Sequence, residues 1–252
     1  MQFATDHIYH IYNRGNNAQP IFFSRENYLF FLKKVRKHIL PHADILAWCL
    51  MPNHFHFMVY VKKVKVEVLL GEGISGQETG NQKGKEESNS GQVTESQHLT
   101  QKGDGSSEQV TGSHQLTKKN KSHQLTKKRL LNDSISILLR SYTRAIQKQN
   151  KFTGSLFQHR TKAICLTQID GITPAWFQSR YGTIINITDP EKEYPQVCFN
   201  YIHQNPVKSG LVKTPDEWEF SSYRDYVGLR DGKLINRERT AQLGLKISAK
   251  EV

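Results

Sequence analysis

Met51-Pro52-Asn53-His54-Phe55-His56-Phe57-Met58-Val59-Tyr60-Val61 is the stretch on which the reading of the chain turns. From His54 onward it alternates with period two, the period of a β-strand. Phe55, Phe57, Val59 and Val61 fall on one face, and His54, His56, Met58 and Tyr60 on the other. The first face is core. The second presents two imidazoles from positions i and i+2, roughly 6.5 Å apart along a strand. Two neutral imidazoles on an open sheet face can share a divalent metal. Two histidines on a half-exposed strand can equally be plain polar surface, and the pair alone does not choose between the two.

Working outward, Ala43 to Met51 is rich in Ile, Leu and Trp and reads as a second strand. Only Pro52-Asn53 separates it from His54, so the two strands form a tight hairpin whose turn fixes the first histidine at a strand start. Upstream, Ser24 is a good N-cap and Glu26 adds negative charge to the first turn of a helix. In that helix Tyr28, Phe31, Leu32, Val35 and Ile39 keep helical spacing, and Lys33, Lys34, Arg36 and Lys37 take the other face. Pro41 follows its end. His7 to Arg14 reads as the first strand, broken by Gly15-Asn16-Asn17. The order β-α-β-β is the opening of a ferredoxin-like sandwich, which makes the class α+β with an antiparallel sheet.

Residues 71 to 128 differ in kind. They contain no Phe, Trp or Tyr, and Ser113-His114-Gln115-Leu116-Thr117-Lys118-Lys119 recurs unchanged as Ser122 to Lys128. So little apolar surface does not offset the entropy of ordering, and the stretch reads as a flexible low-complexity insertion. Its eight lysines face seven acids. Nearly all of the chain's net charge of +12 therefore lies on the segments that fold. After the insertion, Leu130 to Gln149 is a strong helix capped by Asp133 or Ser134. Ile135, Leu138, Leu139, Tyr142 and Ile146 make its apolar stripe, and Arg140, Arg144 and Lys148 line another face. From this helix alone, Tyr142 reads as a core tyrosine with its hydroxyl hydrogen-bonded. Gly154 to Ile164 is a turn leading into a basic extended segment, and Ile169 to Pro190 is uninformative beyond a helix or a strand. Tyr194 to Gln204 is a short helix that the Asn205-Pro206 pair should end. Trp218, Phe220, Tyr223 and Tyr226 form an aromatic cluster, for which packing is the commoner use.

The chain has 252 residues, enough for a real hydrophobic core, and a pI of about 9.5, which favours polyanionic partners. Cys49, Cys165 and Cys198 are scattered, with no Cys-x-x-Cys. That argues against a disulfide framework and for a reducing compartment. The N-terminus lacks the basic flank and apolar run of a signal peptide, and no apolar run reaches the length of a membrane span. The expectation is a cytoplasmic protein with no membrane partner.

Several strings taken together are similar to one family. Pro52-Asn53-His54-Phe55-His56 resembles the His-hydrophobic-His motif of the HUH nucleases. Three later strings are similar to the REP-associated tyrosine transposases of their single-tyrosine branch. These are Gly154-x-Leu156-Phe157-Gln158-x-Arg160-x-Lys162, Tyr201-Ile202-His203-Gln204-Asn205-Pro206-Val207 and Trp218-x-x-Ser221-Ser222-Tyr223. His10-Ile11-Tyr12-Asn13-Arg14-Gly15 matches the opening strand. The resemblance covers about residues 7 to 70 and 129 to 228. It implies a ferredoxin-like βαββαβ palm with His54 and His56 on its open face, a tyrosine-bearing helix and a small C-terminal helical extension.

On that reading residues 1–70 begin the palm, 71–128 are the insertion, 129–190 hold the tyrosine helix and the rest of the palm, and 191–252 are the extension. The implied reaction is cleavage and joining of single-stranded DNA, carrying a hairpin, through a 5′-phosphotyrosine. Mg²⁺ or Mn²⁺ is the implied cofactor, held by His54 and His56, and Tyr142 the implied nucleophile. The family adds an amide ligand about one turn after its tyrosine. Here that position is Ile146, which leaves Gln147, roughly 140° round the helix, and Gln149, roughly 10 Å further along, as candidate metal ligands. Arg14, Arg140, Arg144, Arg160 and Lys162 are the candidate DNA contacts. Should Tyr142 prove to be core, Tyr181 and Tyr201 come next. Two other readings stay open. One is a DNA-hairpin-binding module on the same fold with weak or no chemistry. The other is an RNA-binding sheet, although that would want aromatics where this face carries histidines. Monomer and homodimer are both compatible with the sequence.

Overall fold

The structure, a computed structural model, describes residues 1–69, 126–167 and 190–247. Residues 1–68 and 128–252 form one compact unit, to which the following description refers, and 69–127 a second. Nearly all of the expected insertion, together with Tyr181 and the span from Ile169 to residue 189, lies outside the described residues.

The hairpin at residues 43–61 is where the sequence places it. β2 (Ala43–Met51) and β3 (His54–Val61) pair antiparallel, with Met51 opposite His54 across the Pro52-Asn53 turn. β1 (Ile8–Arg14) pairs antiparallel on the other side of β3, with Tyr12 opposite His56 and Arg14 opposite His54. β6 (Lys162–Cys165) adds to the free edge of β1, giving the antiparallel order β2-β3-β1-β6. Two further strands, β4 (Lys65–Leu69) and β5 (Thr126–Leu130), make a separate two-stranded ribbon, so the last three residues of the expected insertion are strand.

Two helices join the sheet strands. α1 (Arg25–His38) starts at Ser24, with the Asn27 side chain accepting from the Phe23 and Ser24 amides. α2 (Leu131–Asn150) leads from β5 to the segment before β6, and the Asp133 carboxylate in its first turn accepts from the Leu130 amide. Two such crossovers of one hand put both helices on the same face of the sheet. There Phe31, Val35, Ile135, Leu138, Tyr142 and Ile146 bury against Phe55, Phe57, Val59 and Val61. Phe31 is fully buried, with ring contacts to Phe55, Phe57 and Tyr142. Truncating it to Ala should cost about 3–5 kcal/mol.

The histidine face is not open. α3 (Pro190–Lys208) lies on it, burying Cys198, Phe199 and Ile202 against Leu46, Ala47, Cys49, Met51 and Met58. The expected stop at Asn205-Pro206 does not occur, because α3 continues to Lys208. Pro206 cannot donate an i−4 bond and crowds the preceding turn, but the helical bonds resume after it, with the Ser209 amide on the Asn205 carbonyl at 3.0 Å. The late aromatics pack: Phe220 stacks on Tyr28 at 3.9 Å, and the Trp218 indole donates to the Leu50 carbonyl at 3.0 Å. Two short helices, α4 (Tyr223–Tyr226) and α5 (Arg237–Gln242), complete the C-terminal part. No helix among the described residues is long and apolar enough to cross a membrane.

Candidate metal and nucleic-acid site

The turn before His54 is tied down from both sides. The Gly15 amide donates to the Asn53 carbonyl at 2.7 Å, and the Ile21 and Phe22 amides donate to the Pro52 carbonyl. Gly15 is needed for the close approach, since a Cβ there would lie 2.0 Å from the Gln19 carbonyl oxygen. The strand that follows is thereby fixed where its first two outward residues are His54 and His56. Their rings sit 5.0 Å apart, nearly perpendicular.

α3 supplies what faces them. Because the helix runs through Asn205, Tyr201 and Asn205 stand four residues apart on one of its faces. The Asn205 amide lies between the imidazoles, with Oδ1 3.2 Å from His54 Nε2 and Nδ2 3.2 Å from His56 Nε2. The Tyr201 ring is 5.5 Å from that of His56. Behind the histidines, Asn53 Oδ1 is 2.6 Å from His54 Nδ1, and His10 Nε2 is 2.9 Å from His56 Nδ1. Burial holds both imidazoles below their ordinary pKa; for His56, His10 and then His54 add to the effect. At neutral pH both are uncharged, the form that ligates metal. Burial also raises the Tyr201 phenol, and its contact with Asn205 works in the opposite direction.

His54 carries a conflict that bears on a metal. A neutral imidazole has one N–H, yet as placed both ring nitrogens of His54 face amide oxygens. With the proton on Nδ1, the Nε2 lone pair points at the Asn205 oxygen lone pair. A turned Asn205 amide, which offers its NH₂ to that lone pair, or a divalent cation held by the two groups would remove the repulsion. Two imidazole nitrogens and an amide oxygen are also a donor set that such ions accept. The residues fit the implied metal. Among the described residues, no cluster of three or more His, Cys, Asp or Glu side chains could hold one.

The cleft in front of this group has a volume of about 630 Å³. Arg14, Arg160, Lys162, Tyr12 and Tyr201 line it together with His54 and His56. Lys162 lies over the Tyr12 ring at 5.7 Å. Arg140 and Arg144 do not enter. They line a second groove, of about 1000 Å³, which shares Asn13, Gln158 and Arg160 with the first. Among the described residues, none of these five cations pairs with a carboxylate.

Three of the expected site residues are elsewhere. Tyr142 is 0% exposed, packs edge-on to Phe31 on the opposite face of the sheet and donates its hydroxyl to the Ile21 carbonyl at 2.6 Å. Burial, with Tyr28 adding, raises its phenol far above the ordinary range, the reverse of what a nucleophile needs. The reason is topological. α2 is the crossover helix between β3 and β6, and its apolar stripe turns to the helix side of the sheet. Gln147 and Gln149 go with it. The Gln147 amide donates to the Gly154 carbonyl at 2.6 Å, and Gln149 accepts from Asn27 at 2.9 Å. The tyrosine over the histidines is Tyr201 and the amide one turn on is Asn205. The signal for both was in the sequence: of the tyrosines considered, Tyr201 has an amide at i+4 and Tyr142 has isoleucine.

No family model matches the chain, and no curated protein does. A solved structure of a REP-associated tyrosine transposase bound to a REP hairpin is similar to it at 13% identity. The match covers 94% of this chain and 95% of that one with a TM-score of 0.45. The α+β class with a four-stranded antiparallel sheet stands on the chain's own topology.

Proposed function

We propose that this chain cleaves and rejoins single-stranded DNA, with Tyr201 as the nucleophile and His54, His56 and Asn205 as the holders of a divalent metal. The observation that carries this reading is the convergence of two neutral imidazoles and a phenol in one basic cleft, with a buried amide between the imidazoles. In the cleavage step the Tyr201 oxygen forms a bond to phosphorus and the bond from phosphorus to the 3′ oxygen breaks. The phenol gives up its proton and the departing 3′ oxygen takes one up. The products are a 5′-phosphotyrosine and a free 3′-hydroxyl, so the phosphodiester energy is kept and the reverse step joins strands. A Mg²⁺ or Mn²⁺ ion in the cleft supplies stabilisation of the charge that builds on the scissile phosphate. Arg14, Arg160 and Lys162 bind the strand's phosphates, and Asn205 orients the phenol.

The test is a labelled single-stranded oligonucleotide incubated with the protein and Mn²⁺, run on a denaturing gel that retains protein-linked DNA. The wild type should give the adduct. Tyr201→Phe should fold, bind DNA and give none. His54→Ala and His56→Ala should also give none, with partial recovery at high Mn²⁺ that the phenylalanine variant never shows. An oligonucleotide with a stem, compared with one without, decides whether a hairpin is part of the substrate. Binding without any adduct in the wild type would leave a DNA-binding module.

A further inference from the structure

His10 belongs to none of the roles above, yet it is buried at the back of the site. It lies on β1, two residues before Tyr12, the strand partner of His56, and its ring is nearly parallel to that of His56 with centroids 5.0 Å apart. Its Nε2 is 2.9 Å from His56 Nδ1. Two imidazoles can share such a bond in only one direction at a time. With the Asn205 oxygen beside His54, the orientation in which it can serve a metal, Nδ2 faces His56 Nε2 at 3.2 Å and can only donate, so His56 Nε2 accepts. The single proton of neutral His56 is then on Nδ1 and points at His10, whose Nε2 receives it.

We infer that His10 is a positioning residue that holds His56 in the Nδ1–H form and so keeps the Nε2 lone pair aimed into the cleft before any metal arrives. Neutral imidazole in water favours the opposite form, with the proton on Nε2, which would close that lone pair. A metal-ligating histidine commonly gives its other N–H to an oxygen acceptor behind it, and losing that partner typically weakens metal binding by about 10–100-fold. His54 has such an oxygen in Asn53. His56 is buried between two sheet strands and α3, and a second imidazole takes the place of that oxygen. The stacking with Tyr12 at 4.8 Å holds the His10 ring in the orientation the bond requires. The inference rests on the proposed metal site, and the experiment separates the two.

The first measurement is the ¹⁵N spectrum of the imidazoles in metal-free, ¹⁵N-histidine-labelled wild-type protein at neutral pH. His56 should appear in the Nδ1–H form; an Nε2–H form overturns the inference whatever the metal does. The second is Mn²⁺ affinity by calorimetry for the wild type, His10→Phe and His10→Gln. Phenylalanine keeps a flat ring and removes the acceptor, so affinity should fall about 10–100-fold and His56 should shift to the Nε2–H form. Glutamine places an amide oxygen near the lost Nε2 and should restore affinity to within a few-fold. Wild-type affinity in a folded His10→Phe protein overturns the inference and leaves the metal site standing. If the wild type binds no Mn²⁺, the metal site falls, and the tautomer spectrum still decides the role of His10. If His10→Phe does not fold, the wild-type spectrum and His10→Gln carry the decision: a His56 proton on Nε2, or Mn²⁺ binding lost in a folded glutamine variant, overturns it.

Discussion

Replacing Tyr142 with phenylalanine distinguishes the two tyrosines that the site could use. The change removes one oxygen and keeps a ring that packs against Phe31 at 4.9 Å. It also removes the hydrogen bond to the Ile21 carbonyl, and Ile21 is fully buried. Losing a buried hydrogen bond and leaving its acceptor bare should cost about 2 kcal/mol. For a folded unit of this size that is a fall in Tm of about 4–8 °C. Urea unfolding followed by tryptophan fluorescence reads the stability, and the denaturing gel reads the DNA adduct. The expected result is a destabilised protein that still forms the adduct at temperatures where it is folded. Tyr201→Phe should do the reverse, keeping most of the stability and losing the adduct. A Tyr142→Phe protein with unchanged stability and no adduct would refute the assignment of faces, because it would require Tyr142 to act on DNA from inside the opposite core.

Two further outcomes follow from the same geometry. Each true phosphate contact should reduce the salt slope of single-strand binding by roughly 0.7. Arg14→Ala and Lys162→Ala should therefore lower it for oligonucleotides of any length, whereas Arg140→Ala with Arg144→Ala should lower it only for those long enough to reach the second groove; salt-independent affinity would remove the nucleic-acid reading. Stability should also fall on acidification through His38 and His42, which lie away from the cleft. Burial, then Arg129, Lys34 and Lys37, lowers His38 to about 4, and burial lowers His42. Both folded values lie below the unfolded one near 6.5, so the stabilisation is present above that pH and is lost as pH falls towards the folded pKa. For His38 the loss by pH 5 should be about 2 kcal/mol, read as a difference in urea midpoint between pH 7 and pH 5 that shrinks in His38→Gln. An equal pH dependence in that variant would show that the burial of His38 is not its source.

The sheet was legible because period-two alternation has a strong local cause. Phe55, Phe57, Val59 and Val61 could be assigned to one face with no knowledge of the rest, and the two-residue gap at Pro52-Asn53 fixed the hairpin. The choice of tyrosine was not legible in the same way, since it depends on which face of the sheet each helix covers. Tyr142 sits in a strong apolar stripe, and the helix read alone pointed to a core residue, as found. The family pattern then drew it to the wrong face, although the βαββαβ order already required α2 as a crossover on the helix side. The other loss came at Pro206. Ending α3 before it left Asn205 in a loop and hid the Tyr201–Asn205 spacing. Proline disfavours the helical conformation in the residue before it without forbidding it, and local propensity cannot tell where packing against the sheet overrides that preference.

The two faces of the sheet answer to different demands. On the helix side β3 presents only apolar residues, Phe55, Phe57, Val59 and Val61, and the buried polar groups Asn27, His38, His42 and Ser134 belong to the helices and the loop after α1, with His42 and Ser134 paired at 2.9 Å. The α3 side buries His10, His56, His203 and Asn205 among its apolar residues. Neutral imidazoles and an amide are costly to bury and stabilise little even when hydrogen-bonded. The fold offsets this from its C-terminal part. Arg230 grips the buried Asp225 carboxylate at 2.6 and 2.8 Å, donates to the Glu219 carbonyl and stacks over Trp48. Ser222, held to Trp48 on β2, meets His203 of α3 at 2.7 Å. His203 lies between Tyr201 and Asn205 in sequence and points away from the cleft to that anchor. With the helix pinned there, its rotation is fixed, and the residues two places on either side are turned towards His54 and His56. A polar face that costs stability is kept in register by a separate set of contacts, an arrangement that packing alone does not call for and that the proposed site for a metal and a DNA strand would.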